Sequence, residues 1–162
     1  MIIMGVDSAL GQAGIAIIND KREVLYTLNL KTSNKDTLQY RLADLYLKAI
    51  ELIQDYKVDV MVIEDNFFAK NAATVKRLAN AFAAFLLAAE INRIPTVVYA
   101  PASHKAVTVR NSKATKEQTE QCVRNIFAFT GKLTDNEADA LSLANCYLVK
   151  EVEKKKKEDD VE

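Results

Sequence analysis

Apolar residues are laid out along this chain in two kinds of run. Ile2-Ile3-Met4-Gly5-Val6 and residues 58–63 are short and nearly unbroken, which predicts strands covered on both faces. Gly14-Ile15-Ala16-Ile17-Ile18 predicts another strand, and residues 23–30, alternating through Val24, Tyr26 and Leu28, predict one more. The polar turn Asn19-Asp20-Lys21 joins these two, so the chain opens with an antiparallel meander. Leu38, Leu42, Leu45, Tyr46, Ile50 and Ile53 then recur at helical spacing, predicting a crossover helix over residues 36–56. The strand at 58–63 arrives after that helix and therefore pairs in parallel with the first.

Residues 71–91 predict a second long helix, in which Ala81-Phe82-Ala83-Ala84-Phe85-Leu86-Leu87-Ala88-Ala89 leaves almost no polar face. It is expected at the centre of the core or against a second copy of the chain. Residues 95–99 predict a fifth strand closed by Pro101, and Val107-Thr108-Val109 a brief extended piece before the basic loop Arg110-Asn111-Ser112-Lys113. Thr115, with Gln118 at the capping-box position, opens a helix over 116–129 that Gly131 stops, and a last helix is expected over 137–152. Residues 153–162 hold opposed charge blocks with almost nothing to bury, so a disordered tail is expected there. The order of elements resembles a ribonuclease H-like α/β domain over residues 1–152, with a five-stranded mixed sheet flanked by helices.

Composition narrows the picture without redirecting it. With 162 residues, of which 49% are hydrophobic and 27% charged, the chain is long enough for one domain with a sizeable core. The formal net charge is zero, so a nucleic-acid partner would have to meet a local basic patch. Cys122 and Cys146 form no CxxC and no framework of pairs, which fits buried thiols in a reducing compartment. The N-terminal apolar run is too short for a signal segment or a membrane span, so a soluble, cytoplasmic protein is expected.

The candidate chemistry lies where apolar patterns end in acids. Asp7 ends the first run, Glu64 ends the run Val60-Met61-Val62-Ile63, and Asp135-Asn136-Glu137-Ala138-Asp139-Ala140-Leu141 opens an otherwise apolar helix. Any one of these acids alone reads as an ordinary turn or helix-surface residue. Two adjacent strands that both end in an acid place carboxylates together at the sheet's C-terminal edge, where open α/β folds bind their ligands. Like charges brought together need a compensating cation, and an all-oxygen set suits hard Mg²⁺.

Gly5-Val6-Asp7, the stretch from Glu64 to Asn71 with its two phenylalanines, the basic segment from Pro101 to Lys116 and Ala138-Asp139-Ala140-Leu141 occur in the order and spacing of the RuvC family of Holliday junction resolvases, which the chain resembles over residues 2–149. The resemblance implies a homodimeric endonuclease that binds branched DNA, above all four-way junctions, and nicks two strands symmetrically. It implies that Asp7, Glu64 and Asp139 hold two Mg²⁺ ions, with Mn²⁺ able to substitute, that activate water and stabilise the leaving oxygen. Lys105 and Lys116 would contact phosphates near the scissile bond. Phe67, rather than Phe68, would stack on bases at the junction centre. Lys70, Lys76, Arg77, Arg110 and Lys113 would complete a basic DNA-binding face on a neutral chain.

Two features depart from the family. Its fourth metal ligand, an Asp or His three residues before the last Asp, is replaced here by Asn136, which can coordinate metal through its carbonyl oxygen but brings no charge, so one metal site is expected to be weaker. Asp135 shares a helix face with Asp139, whereas Glu137 has the longer reach, so Glu137 is expected as the substitute ligand and Glu137→Gln is expected to lower nicking more than Asp135→Asn. The neutral net charge is the other departure. Together with the small size and the charged tail, these features suit a phage-encoded member. His104, the only histidine, is expected to be solvated in a loop. The competing readings are another ribonuclease H-like nuclease, acting on branched DNA or RNA ends, and a catalytically weakened junction-binding protein.

Overall fold

The protein, described as a computed structural model over residues 1–65 and 71–159, builds its sheet from β1 (Ile2–Asp7), β2 (Gln12–Asn19), β3 (Val24–Lys31), β4 (Val60–Glu64) and β5 (Thr96–Tyr99). Their order is β3-β2-β1-β4-β5. The first three pair antiparallel as the meander requires, and β1–β4 and β4–β5 pair in parallel. The helix α1 (Leu38–Tyr56) makes the crossover between β3 and β4. Thr37 caps it by accepting the Tyr40 N–H, and Lys57 ends it in the left-handed region at φ 52°.

Alternation along the strands sends side chains to two cores. Met4 and Val6 of β1 and Met61 and Ile63 of β4 join α1 and the helix α2 (Ala72–Ile91), where Leu45, Ala49 and Phe85 are buried. Ile3 of β1 and Val60 and Val62 of β4 point the other way. There they meet α4 (Lys116–Phe127) and α5 (Asp135–Asp159) through Val123, Ala140, Leu141 and Ala144. The sheet is thus covered on both faces, which is why β1 and β4 are unbroken apolar runs.

Glycine decides how closely α5 lies on the sheet. A Cβ on Gly5 would stand 2.0 Å from the Ala140 carbonyl oxygen, and one on Gly14 would stand 2.0 Å from the Asn136 carbonyl oxygen. Any side chain at either position would push the helix away.

Four expectations are corrected. Pro101 does not close a strand. It occupies the first turn of α3 (Pro101–Thr108), where its fixed φ and missing N–H cost nothing, so Val107 and Thr108 are helical instead of extended. The helix α4 ends at Ala128, which takes the left-handed C-cap at φ 48°, before Gly131 is reached. The last helix does not stop near 152: α5 continues to Asp159, and nothing from 153 to 159 is Gly or Pro, while Lys and Glu are good helix formers. The helix α2 is not central throughout. Ala81, Ala84, Phe85, Ala88 and Ala89 are buried, while Leu87 and Ile91 are 57% and 61% exposed. By length and composition α2 is also apolar enough to cross a membrane.

Candidate active site

The register of β1 and β4 brings the first two acids together. Val6 pairs with Ile63, so Asp7 and Glu64 are the next residues of adjacent parallel strands. Asp7 shares a face with Ile3 and Gly5, and Glu64 with Val60 and Val62, so both carboxylates lie on the side covered by α5. That helix carries Asp139 in its second turn, one residue before the Ala140 that rests on Gly5.

The Asp7 carboxyl feels both of the other acids. Burial, followed by the charges of Glu64 and Asp139, pushes the Asp7 carboxyl up from 3.8 to about 8, against the opposing fields of Lys116 and Lys105. Asp139 is also raised, chiefly by burial and further by Glu64, while Lys105, His104 and Lys116 pull it down. Two acids held above their ordinary range mark an anionic cluster without its counter-charge. Among the described residues, no three His, Cys, Asp or Glu side chains close tightly enough around one point to form a preassembled metal shell.

A divalent cation fits these residues. The strand-end donors are all carboxylate oxygens, the ligands of hard cations. Among the described residues, Asp139 Oδ1 is buried without a hydrogen-bond partner, and so is Asp65 Oδ1 beside Glu64. A buried carboxylate oxygen without a donor is costly unless a cation meets it. Asp65 carries no sequence signal of its own, because it lies beyond the apolar run that Glu64 ends.

The helix start allots its polar residues differently from expectation. The Glu137 carboxylate accepts from the Thr134 backbone N–H at 2.9 Å and from its hydroxyl at 2.6 Å, while the Glu137 N–H donates to Thr134 Oγ1. Glu137 is therefore the far half of a capping box, with Oε2 engaged at the helix terminus. Asn136 donates to the Gln12 carbonyl at 3.3 Å and the Asn29 side chain at 3.4 Å, tying α5 to the β2–β3 edge. Asp135 is half-exposed and pairs with Lys116 at 3.3 Å.

The basic residues divide. Lys105 and Lys116 both act on Asp7 and Asp139, as expected of groups at the cluster's rim. Lys76 lies exposed in the first turns of α2, and Lys113 is exposed in the α3–α4 loop. Arg110 lines a cavity with Arg22, Asn145 and Val149. Asn145 lies six residues along α5 from Asp139, about 9 Å down the helix axis. Phe67, Phe68 and Lys70 lie outside the described residues.

His104 is the largest departure from expectation. It is not solvated: it is fully buried in α3, with Nε2 2.9 Å from Glu64 Oε1 and Nδ1 2.8 Å from Ser142 Oγ. Nothing local in the sequence announced this, because Glu64 and Ser142 lie 40 and 38 residues away.

Comparison with known proteins bears on all of this. Residues 3–147 match the family model described as crossover junction endodeoxyribonuclease RuvC. The chain is 32% identical over 151 residues to the protein of that description from Alkaliphilus metalliredigens, covering 91% of this chain and 92% of that one. It is likewise 32% identical over 152 residues to that of Desulforamulus reducens, covering 91% and 93%. Among solved structures, Thermus thermophilus RuvC in complex with Holliday junction substrate superposes with a TM-score of 0.84 at 22% identity, covering 90% of this chain and 92% of that one, which shows the fold to be shared.

Proposed function

Since the chain belongs to the RuvC family of crossover junction endodeoxyribonucleases, we propose that it resolves four-way DNA junctions by paired nicks, using the carboxylates at the ends of β1 and β4 and in α5. It is a hydrolytic nuclease dependent on divalent metal, and its partner is branched DNA. The observation that carries the site assignment is the Asp7–Glu64 juxtaposition on the face covered by Asp139, with the Asp7 carboxyl raised to about 8.

Asp7, Glu64 and Asp139 would hold the metal, Mg²⁺ by preference and two ions per site. When bound, such ions lower the pKa of water and neutralise charge developing on a transferring phosphate. The chain's own groups do the rest. Lys105 and Lys116, already within electrostatic reach of the carboxylates, attract and orient the scissile phosphate, a contribution that weakens as salt rises. Asp135 holds Lys116 at the rim, so Lys116 exchanges a carboxylate for a phosphate when DNA arrives. Lys76 and Lys113 add positive charge to the surface.

The active form is a homodimer in the cytoplasm. Its interface centres on α2, where Leu87 and the apolar groove it forms with Leu42, Tyr46 and Ala83 of the α1–α2 pair are left uncovered. A symmetric partner accounts for an apolar helix face that this chain alone does not bury, and sedimentation as a monomer at micromolar concentration would remove that account.

A second reading, a junction-binding protein with weakened catalysis, is favoured by one observation: Asn136, uncharged and held through Nδ2 by Gln12 and Asn29, stands where the family carries a charged ligand. Labelled junction, flap, duplex and RNA substrates, incubated in Mg²⁺ and in Mn²⁺ with wild type and Asp7→Asn, separate the readings. Junction nicking lost in Asp7→Asn with binding retained supports the resolvase. Binding without nicking in either metal supports the second reading, and cleavage favouring RNA or unbranched duplex overturns both.

A further inference from the structure

Glu64 ends β4 with only 9% of its surface exposed, so its carboxylate must have its lone pairs occupied by the protein or by a cation. His104 Nε2 meets one oxygen, Oε1, at 2.9 Å. A carboxylate only accepts, so Nε2 donates in either charge state of the ring. The other ring nitrogen is held by Ser142 Oγ at 2.8 Å, and Ser142, fully buried, follows Asp139 by one turn on the same face of α5. The imidazole therefore links the strand that carries one acid to the helix that carries another. Its backbone is fixed as well: Thr108, one turn after His104 in α3, donates to the Ser142 carbonyl at 3.1 Å and accepts from Asn145 Nδ2 at 3.1 Å.

Resting on the metal site proposed above, we infer that His104 is a positioning residue, anchored by Ser142, which fixes the Glu64 carboxylate so that Oε2 remains for the cation. Ligating carboxylates are commonly oriented by hydrogen bonds of this kind, and loss of such a partner typically weakens metal binding by about 10–100-fold. The family motifs read in the sequence assign no histidine here, so this support belongs to the chain's own structure. The competing explanation is a core histidine that does nothing but satisfy its neighbours, and it makes a different prediction: stability would change and metal affinity would not.

The test measures Mn²⁺ binding to the DNA-free protein by electron paramagnetic resonance, with metal-free thermal unfolding alongside, for wild type, Asp7→Asn, His104→Val, His104→Gln and Ser142→Ala. His104→Val is expected to weaken Mn²⁺ roughly 10–100-fold. His104→Gln, whose amide donates near the position of Nε2, is expected to recover most of that loss. A His104→Val affinity equal to wild type, with Asp7→Asn binding lost, overturns the role of His104 and leaves the carboxylate site standing. A wild type that binds no Mn²⁺, or an Asp7→Asn that binds as tightly as wild type, overturns the carboxylate site and this inference with it. A glutamine variant no tighter than the valine one overturns the hydrogen bond as the cause. Should His104→Val fail to fold, Ser142→Ala decides: a several-fold weaker affinity supports the inference, and an unchanged one overturns it.

Discussion

Gly5 of β1 lies so close beneath Ala140 of α5 that a Cβ at that position would stand 2.0 Å from the Ala140 carbonyl oxygen and 3.2 Å from the Ala144 nitrogen. Both of these are backbone atoms of a helix and cannot swing aside. This approach brings Asp139, the residue before Ala140, down over the end of β1.

Gly5→Ala is therefore expected to lift α5, lowering stability by about 1–3 kcal/mol through overpacking and abolishing most nicking at saturating metal. Gly11→Ala, where an added Cβ meets nothing within 4 Å, is the control. Chemical denaturation and a junction-nicking assay check both, and an active, fully stable Gly5→Ala would contradict the role given to this close approach.

The raised Asp7 carboxyl has a stability consequence with a definite sign. Its folded value, about 8, exceeds its ordinary 3.8, so the folded, metal-free protein binds more protons than the unfolded chain between these values. The stability associated with protonated Asp7 is fully present below about 3.8 and is lost as pH rises through about 8. Unfolding in EDTA should show wild type losing on the order of a few kcal/mol relative to Asp7→Asn between pH 5 and pH 8. Parallel pH profiles would refute the coupling.

Metal should reverse that trend. A cation requires the carboxylates deprotonated, so binding releases protons and tightens as pH rises toward about 8. Calorimetry in buffers of different ionisation enthalpy measures the protons released, and zero release near pH 6.5 would count against Asp7 as a ligand.

Glu137 caps α5 through Thr134. Glu137→Ala should cost about 0.5–2 kcal/mol of stability, the usual value of a lost cap, with little change in Mn²⁺ affinity. Loss of metal affinity at unchanged stability would instead make Glu137 a ligand, as the sequence suggests. Asp135→Asn, which frees half-exposed Lys116, is expected to leave stability nearly unchanged.

Lys105→Ala and Lys116→Ala should weaken binding to junctions of any sequence and reduce the slope of log affinity against log salt by about one for each phosphate no longer neutralised. An unaltered slope, read from fluorescence anisotropy titrations at several salt concentrations, would place that lysine away from the backbone.

Much of this architecture could be read directly from the order of residues. The unbroken runs before Asp7 and Glu64, the alternation of β3, the spacing of Leu38 through Ile53 and the Thr115–Gln118 box are local signals, because a strand or helix records its own burial in its own periodicity. The parallel pairing of β1 and β4, and with it the meeting of Asp7 and Glu64, followed from the intervening helix. Folding alone settled which polar groups each acid meets. His104 looks like a loop histidine until α3 lays it between Glu64 and Ser142, and neither the tie of Glu137 Oε2 to Thr134 nor the pairing of Asp135 with Lys116 is visible before the helix starts are in place. Periodicity encodes which face of an element is covered, but a buried hydrogen bond depends on the packing distance and rotation of two elements far apart in the chain, and no local pattern carries those.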